Sequence, residues 1–398
     1  MVALVTLSAG APAGAQTLGF SQAQEMVLAQ HEGLRALAEE VAAAEAAVRR
    51  AGAYPNPEIE VTAEKFGKAE IEVVLTQPLL IGGTRGAAVS VAKREVEIAE
   101  LRLESGKISV EAELIRRFIP LLAANRRLEL VDSLLEVSAR STEAVQGLVD
   151  AGGAMALDVV RSQLEGDELN LERAEITRSL AEGRVQLGEL WGEIAPGFDR
   201  VDGSLPGSVY LPPVAEISAA MERHPDWLLL EGKKRLIKAE MDEARAEGRP
   251  ELALSAGYLR NNELDEEAAI TGVSFSLPIL NRNKAAVTEK HHEMAAAEHA
   301  AERERLERAA QLTTLYSDME GTGRDLDALS GELLSKATYV HQSLEEFYVQ
   351  GKTGILDVLE ARSHLLELRM RIVDLLEERA LLAADLLELT SYRIEIIR

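Results

Sequence analysis

The chain writes one phrase twice. "GGAMALDVVRSQL" at 152–164 returns as "GKTGILDVLEARSHL" at 351–365, and Asp158 and Asp357 each sit in a Leu-Asp-Val triplet. Two more landmarks recur in the same order. "YPNPEIEV" (54–61) returns as "GRPELAL" (248–254), and "LTQPLLIGGTRGAAV" (75–89) as "FSLPILNRNKAAV" (275–287). Each half reads helix, x-Pro-Glu, strand, strand, Pro turn, long helix, Leu-Asp-Val, helix. Three landmarks kept in order point to a duplication. The first copy spans 16–205 and the second 206–392, with a short tail at 393–398. The Gly- and Pro-rich "APGFDRVDGSLPGSVYLPP" (195–213) reads as the linker between them.

Each copy carries one expected β-hairpin, over 57–79 and 250–278. In "EIEVTAE" (58–64), Ile59, Val61 and Ala63 alternate with Glu58, Glu60, Thr62 and Glu64. In "AEIEVVL" (69–75), Ala69, Ile71, Val73 and Leu75 alternate with Glu70, Glu72 and Val74. Period-two alternation defines two-faced strands. The second copy puts Leu252, Leu254, Ala256 and Tyr258 on one side of a strand, and Val273, Phe275 and Leu277 on one side of the next, with "RNNELDEEAA" as their connection. A solvated sheet would need a cover for its apolar face. Lipid outside and water inside is the other solution. Transmembrane barrels need about eight strands or more, so four per chain require several chains in one barrel.

The helices are long. Residues 85 to about 150 hold a single proline, Pro120, expected to bend the helix locally. Leu114, Leu121, Leu128 and Leu135 recur every seven residues, as do Leu326, Leu333, Val340 and Phe347. That spacing predicts coiled-coil seams. The helices break at 151–156 and 350–355, so the repeated phrase occupies the tips of two helical hairpins.

Composition narrows the partners. Aromatic residues make up 4% of the chain, which suits helices packed through narrow seams. A formal charge of −24 argues against nucleic acid and favours contact with cations. With no cysteine, disulfides and thiolate chemistry are excluded. "MVALVTLSAGAPAGAQ" reads as the end of an export signal, residues 1–15, with Ala13-Gly14-Ala15 as its small-x-small site. No window approaches the roughly 20 apolar residues of a spanning helix, so any membrane crossing is made by strands.

These elements resemble the TolC family of outer-membrane efflux channels over nearly the whole mature chain. The carriers are "NPEIEV", "QPLLIGGTRGAAV", "LPILNRNKAAV" and the two Gly-x(5)-Asp-Val phrases. "IGGTRG" followed by "LPILNRN" is most like the branch paired with cobalt–zinc–cadmium exporting pumps. The resemblance implies a mainly α-helical chain with a small β part. It implies a homotrimer whose twelve strands form one barrel in the outer membrane, and a coiled-coil tunnel in the periplasm. A periplasmic adaptor protein and an inner-membrane pump are the implied partners, with outer-membrane lipid around the barrel.

The resemblance also assigns roles. Asp357 and Glu360 fall on the acidic pair of the periplasmic gate, where the family has Asp-Asp. Gly152, Gly153, Asp158, Gly351, Thr353 and Gly354 fall on the adaptor-contacting tips. Thr353 stands where the family has a basic gate residue, with Lys352 beside it. Spacing of three residues puts Asp357 and Glu360 on one helix face. Carboxylates ringing a narrow axis attract cations and respond to protons. Helix capping by Asp158 and Asp357 is the plainer role, and the two are compatible. Glu58, Glu60, Glu64, Glu70 and Glu72 would line the barrel lumen.

Other candidates are weaker. His291, His292 and His299 lie on one helix, but His292 and His299 are two turns apart and read as surface residues. "GKT" at 351–353 has Glu346 where a phosphate loop needs its first Gly. No catalytic constellation stands out, and no enzyme activity, cofactor or metal centre is expected. The expected function is passive efflux of heavy-metal cations. A channel for drugs or organic solutes is the alternative, and a soluble coiled-coil scaffold is the more distant rival.

Overall fold

The computed structural model describes residues 17–64, 70–205, 210–261 and 265–394. The export signal at 1–15, the hairpin connection 65–69 and the last four residues of the tail lie outside the described residues. In chain order the elements are β1 (Thr17–Gly19), α1 (Phe20–Gln30), α2 (Glu32–Ala51), β2 (Glu58–Glu64), β3 (Glu70–Leu79), α3 (Thr84–Asp150) and α4 (Ala156–Glu189). There follow β4 (Arg200–Asp202), α5 (Val214–Met221), α6 (Pro225–Glu247), β5 (Leu252–Asn261), β6 (Glu266–Phe275), α7 (Lys284–Ala328), α8 (Leu334–Val349) and α9 (Ile355–Thr390). Two compact units emerge. One gathers residues up to Leu34, Lys107–Arg223 and Arg308 onward; the other gathers Arg35–Gly106 and His224–Glu307.

The second unit holds the sheet. Its order is β2-β3-β5-β6, antiparallel throughout. The connection between β5 and β6 is much shorter than the ten residues read from sequence. The strands run on to Asn261 and back from Glu266, pairing Arg260 with Glu267. Backbone pairing outweighs the low strand propensity of this polar stretch. Beneath the sheet the helices are tied by polar contacts. Lys290 bridges Glu240 at 2.9 Å, and Asn283 Nδ2 donates to the Ala244 carbonyl at 2.9 Å.

The first unit holds the main core. Phe20 of α1 meets Phe118 of α3 edge to face at 5.4 Å, and Ile119, Leu187, Ile217, Met319 and Leu386 are buried around them. The linker region is more ordered than its composition suggests. β4 pairs in parallel with β1, and Phe198 and Val201 are buried in this core.

Helix packing keeps the first heptad series at or against the core and breaks the second. Of the first series, Leu114 and Leu121 are buried, whereas Leu128 and Leu135 are half-buried. A second series on α3, Ala124, Val131, Ser138 and Val145, is also seven apart and buried throughout. On α4 the matching series is Ser162, Leu169 and Ile176, and at Gly183 a Cβ would stand 2.8 Å from Leu121. The heptad series of the second copy breaks for a local reason. Leu329–Leu333 forms a π-helical turn, with Gly331 at φ −83° and ψ −109°. The wider turn rotates the downstream stripe. Leu326 is buried, but Leu333, Val340 and Phe347 are exposed.

The α3–α9 seam is charged and regular. Arg116 bonds Asp385 through Nε at 3.1 Å and Nη2 at 2.8 Å, and also meets Glu388. Arg127 repeats this with Asp374 at 3.2 and 2.7 Å, and with Glu377. Both partners shift by eleven residues. Eleven residues make three turns at about 3.67 per turn, so nearly straight helices keep such a ladder in register.

Candidate functional site: a two-faced sheet and two capped hairpin tips

Strand register sorts the sheet into two faces. Direct partners put Ile59 opposite Leu75, Val61 opposite Val73 and Ala63 opposite Ile71. Val73 in turn faces Tyr258, Leu75 faces Ala256, Leu254 faces Val273 and Leu252 faces Phe275. Partnered side chains share a face, so these residues form one apolar surface. The opposite face takes Glu58, Glu60, Glu64, Glu70, Glu72, Ser255, Gly257, Gly272 and Ser274, with Val74, Leu259 and Ile270 among them. The side chains of Glu64 and Glu70 themselves are outside the described set.

The apolar face is the more exposed one. Ile59 is 71% exposed, Val61 65%, Val273 63% and Phe275 62%. Along β5 the apolar-face residues Leu254, Ala256 and Tyr258 are exposed, while Ala253, Ser255, Gly257 and Leu259 behind them are half-covered. Close approach on that inner side explains its glycines. A Cβ on Gly257 would stand 2.6 Å from the Val73 carbonyl oxygen, and one on Gly272 would stand 2.5 Å from Ser255 Oγ. Leaving residues of this size in water forgoes about 1.5–3 kcal/mol each relative to burial. A hydrocarbon surround removes that cost, and the acidic inner face then meets water. Among the described residues, no helix is long and apolar enough to cross a membrane.

The two hairpin tips share one backbone solution. At the end of α3, Gly153 N–H donates to the Leu148 carbonyl at 2.8 Å and Gly152 N–H to Val149 at 2.9 Å. At the end of α8, Lys352 N–H donates to Phe347 at 2.8 Å and Gly351 N–H to Tyr348 at 2.8 Å. Each is a Schellman termination, with the left-handed residue Gly152 (φ 75°) or Gly351 (φ 68°). The next helix starts four residues after that glycine and is capped alike. Asp158 Oδ2 accepts from Met155 N–H at 3.1 Å, and Asp357 Oδ2 accepts from Gly354 N–H at 3.2 Å. Both aspartates therefore cap helices, as the plainer reading expects. Each carboxylate satisfies a donor at a positive helix end.

The tips differ in charge. Asp158 lies 3.6 Å from Arg161, which neutralises it. Asp357 takes the Thr353 hydroxyl as well as the Gly354 N–H, and these two bonds hold its carboxyl below the usual Asp range. Asp357 and Glu360 are both exposed, and no ion pair joins Glu360 to another described residue. Thr353 thus serves Asp357 of its own tip, and Lys352 stacks over Phe347 at 5.8 Å. Tyr348 was not singled out by sequence reasoning. Its hydroxyl is buried without a hydrogen-bond partner among the described residues, and burial with the nearby Asp158 charge pushes its pKa up. Arg362 was missed too. It is buried between the hairpins, a position that a lone charged letter does not advertise. His291, His292 and His299 are exposed on α7. Among the described residues, no cluster of acidic or histidine side chains could hold a metal ion.

A sheet with its apolar face outward, joined in one chain to paired helical hairpins, defines a channel-forming outer-membrane protein. The model of the outer membrane efflux protein family matches residues 24–193 and 217–391, and the chain belongs to that family. It is similar to the cobalt-zinc-cadmium resistance protein CzcC of Cupriavidus metallidurans, 26% identical over 86% of this chain and 82% of the relative. It is also similar to the nickel-cobalt-cadmium resistance protein NccC of Alcaligenes xylosoxydans xylosoxydans, 25% identical over 81% and 75%. Among solved structures, CusC aligns with a TM-score of 0.80 at 16% identity, covering 93% of this chain and 91% of that one. The outer-membrane channel OprN aligns at 0.78 and 18%, covering 93% and 89%. These structural likenesses establish a TolC-type fold. The protein is an outer-membrane efflux channel.

Proposed function

We propose that the chain is the outer-membrane duct of a tripartite system exporting heavy-metal cations. Three copies give twelve strands, enough to close a barrel that four cannot. The apolar face of each sheet meets lipid. Glu58, Glu60, Glu64, Glu70 and Glu72 line the lumen and favour cations over anions. A periplasmic adaptor meets the tips at Gly152, Gly153, Asp158, Gly351, Thr353 and Gly354, and an inner-membrane pump supplies the energy. Asp357 and Glu360 from three copies ring the entrance as a cation-attracting constriction. The duct itself performs no chemistry.

The observation that carries the channel reading is the exposed apolar sheet face set against an acidic inner face. Metal as the cargo rests on the similarity to relatives named for cobalt, zinc, cadmium and nickel resistance, together with that inner charge. The test is complementation. A strain lacking its own outer-membrane duct, but keeping a heavy-metal pump and its adaptor, is given the gene. Restored tolerance to cobalt, zinc or cadmium with lower cell-associated metal is the expected result. Restored efflux of an organic dye with unchanged metal accumulation would overturn the cargo assignment.

A further inference from the structure

The core of the four-helix tip is interrupted by a polar layer. On one side lie Ala124, Val131, Leu169 and Ile176; on the other lie Val145, Val159, Ile355 and Val358. Between them every helix contributes a polar group. The Thr142 and Ser162 hydroxyls are 2.6 Å apart, and Ser138 donates to Glu165 at 3.3 Å. Arg362 of α9 gives Nη1 to Glu165 of α4 at 3.1 Å and Nη2 to Glu345 of α8 at 3.4 Å. Arg362 is 2% exposed and is the one Arg, Lys, Asp or Glu among the buried described residues. It follows Glu360 by two positions and Asp357 by five, so it is fixed to the acidic pair by under two helical turns.

Such a layer is not explained by stability. Dehydrating an Arg–carboxylate group costs several kcal/mol, and apolar side chains of the same size often do as well or better. Buried polar groups in helical bundles instead select one register among several. The partners chosen here reach across hairpins, since Glu165 belongs to the first and Glu345 to the second. The two seats are unequal. Glu165 is more buried and closer, whereas Glu345 is half-exposed and shared with His341 at 3.5 Å. Space flanks the guanidinium on both sides. A groove of about 690 Å³ runs past Ala144, Tyr348, Val358 and Arg362. A cavity of about 170 Å³ is lined by Arg362 with Glu165, Glu168, Glu172 and Glu367.

We infer that Arg362 is a positioning residue for the entrance: it pins α9, and with it Asp357 and Glu360, to the first hairpin. When the second hairpin moves, the guanidinium travels with α9, leaves Glu165 of the first hairpin and keeps Glu345 of its own. This rests on Asp357 and Glu360 forming the constriction. The pin is specific to the tip because the ladder rungs at Arg116 and Arg127 point the other way, from α3 to α9.

The test uses the purified full-length protein in planar bilayers. Arg362→Met should raise open-state occupancy at least about tenfold, the factor for losing a charge-assisted hydrogen bond. Block by a divalent cation should persist, because both gate carboxylates remain. Asp357→Ala with Glu360→Ala should instead abolish that block. Glu165→Gln should open the channel more than Glu345→Gln. The reversed pair Glu165→Arg with Arg362→Glu should restore closure. If Arg362→Met fails to assemble, the two glutamine variants and the reversed pair decide. Unchanged occupancy in Arg362→Met and Glu165→Gln, alongside lost block in the Asp357/Glu360 variant, overturns the pin and leaves the gate standing. Unchanged block in that variant overturns the gate itself.

Discussion

At the scale of the residue, Asp357 does two things with one carboxylate. It caps α9, and its charge, like that of Glu360, meets no cation among the described residues. The Thr353 hydroxyl and the Gly354 N–H both favour the ionised form, so its folded value lies below the ordinary 3.8. A lowered acid contributes stability above its unfolded value and loses it as pH falls through the folded value. The contribution of Asp357 to cation block should therefore survive acidification into the ordinary Asp range. Thr353→Val should move its loss toward higher pH, read as the pH midpoint of divalent block in bilayers; an identical midpoint would break the link between cap and charge. Gly351 is the other position where one residue decides the local structure. A Cβ there meets nothing within 4 Å, so Gly351→Ala carries backbone strain alone. The expected cost is about 1 kcal/mol, with Gly351→Asn milder, measured as a lowered unfolding midpoint in detergent.

At the scale of the element, the strands and the charged seam give separate predictions. Val73→Arg places a cation on the apolar face and should cost about 2–4 kcal/mol if that face meets hydrocarbon. Glu60→Lys on the inner face should leave folding intact and reduce cation preference, read from the reversal potential in a salt gradient. Equal destabilisation by both would mean that the sheet has no lipid side. On the seam, Arg127 and Asp374 are paired but partly exposed, so screening limits their value. A double-mutant cycle on Arg127→Leu and Asp374→Asn should return a coupling of about 0.5–1 kcal/mol that shrinks with added salt. The π-helical turn before α8 shows why the second heptad series misled. A period holds only while the helix that carries it keeps one geometry.

At the scale of the whole molecule, the strands, the long helices and the two glycine tips were legible before any coordinates. Alternation in "EIEVTAE" is a local property of the backbone, and so is the stop that Gly351 imposes on a helix. The capping role of Asp357 was legible for the same reason, since an Asp three residues inside a helix start has a donor waiting. The incomplete barrel was legible as well, because four two-faced strands are too few to close. What the letters did not contain was depth. Nothing local distinguishes Ser138 in the seam from Leu135 beside it, or buried Arg362 from an ordinary surface arginine. Nothing local shows that Asp158 is paired with Arg161 while Glu360 has no ion pair among the described residues. Those outcomes depend on which helices approach and how closely, and the distance between helices is set by all their side chains together. The sequence by itself determined the elements, their two faces and their breaks, because these follow from backbone preferences and periodicity. Only the tertiary structure decided which residues form the seam, which arginine is enclosed and which carboxylates meet no cation among the described residues, because burial is a property of neighbours far apart along the chain.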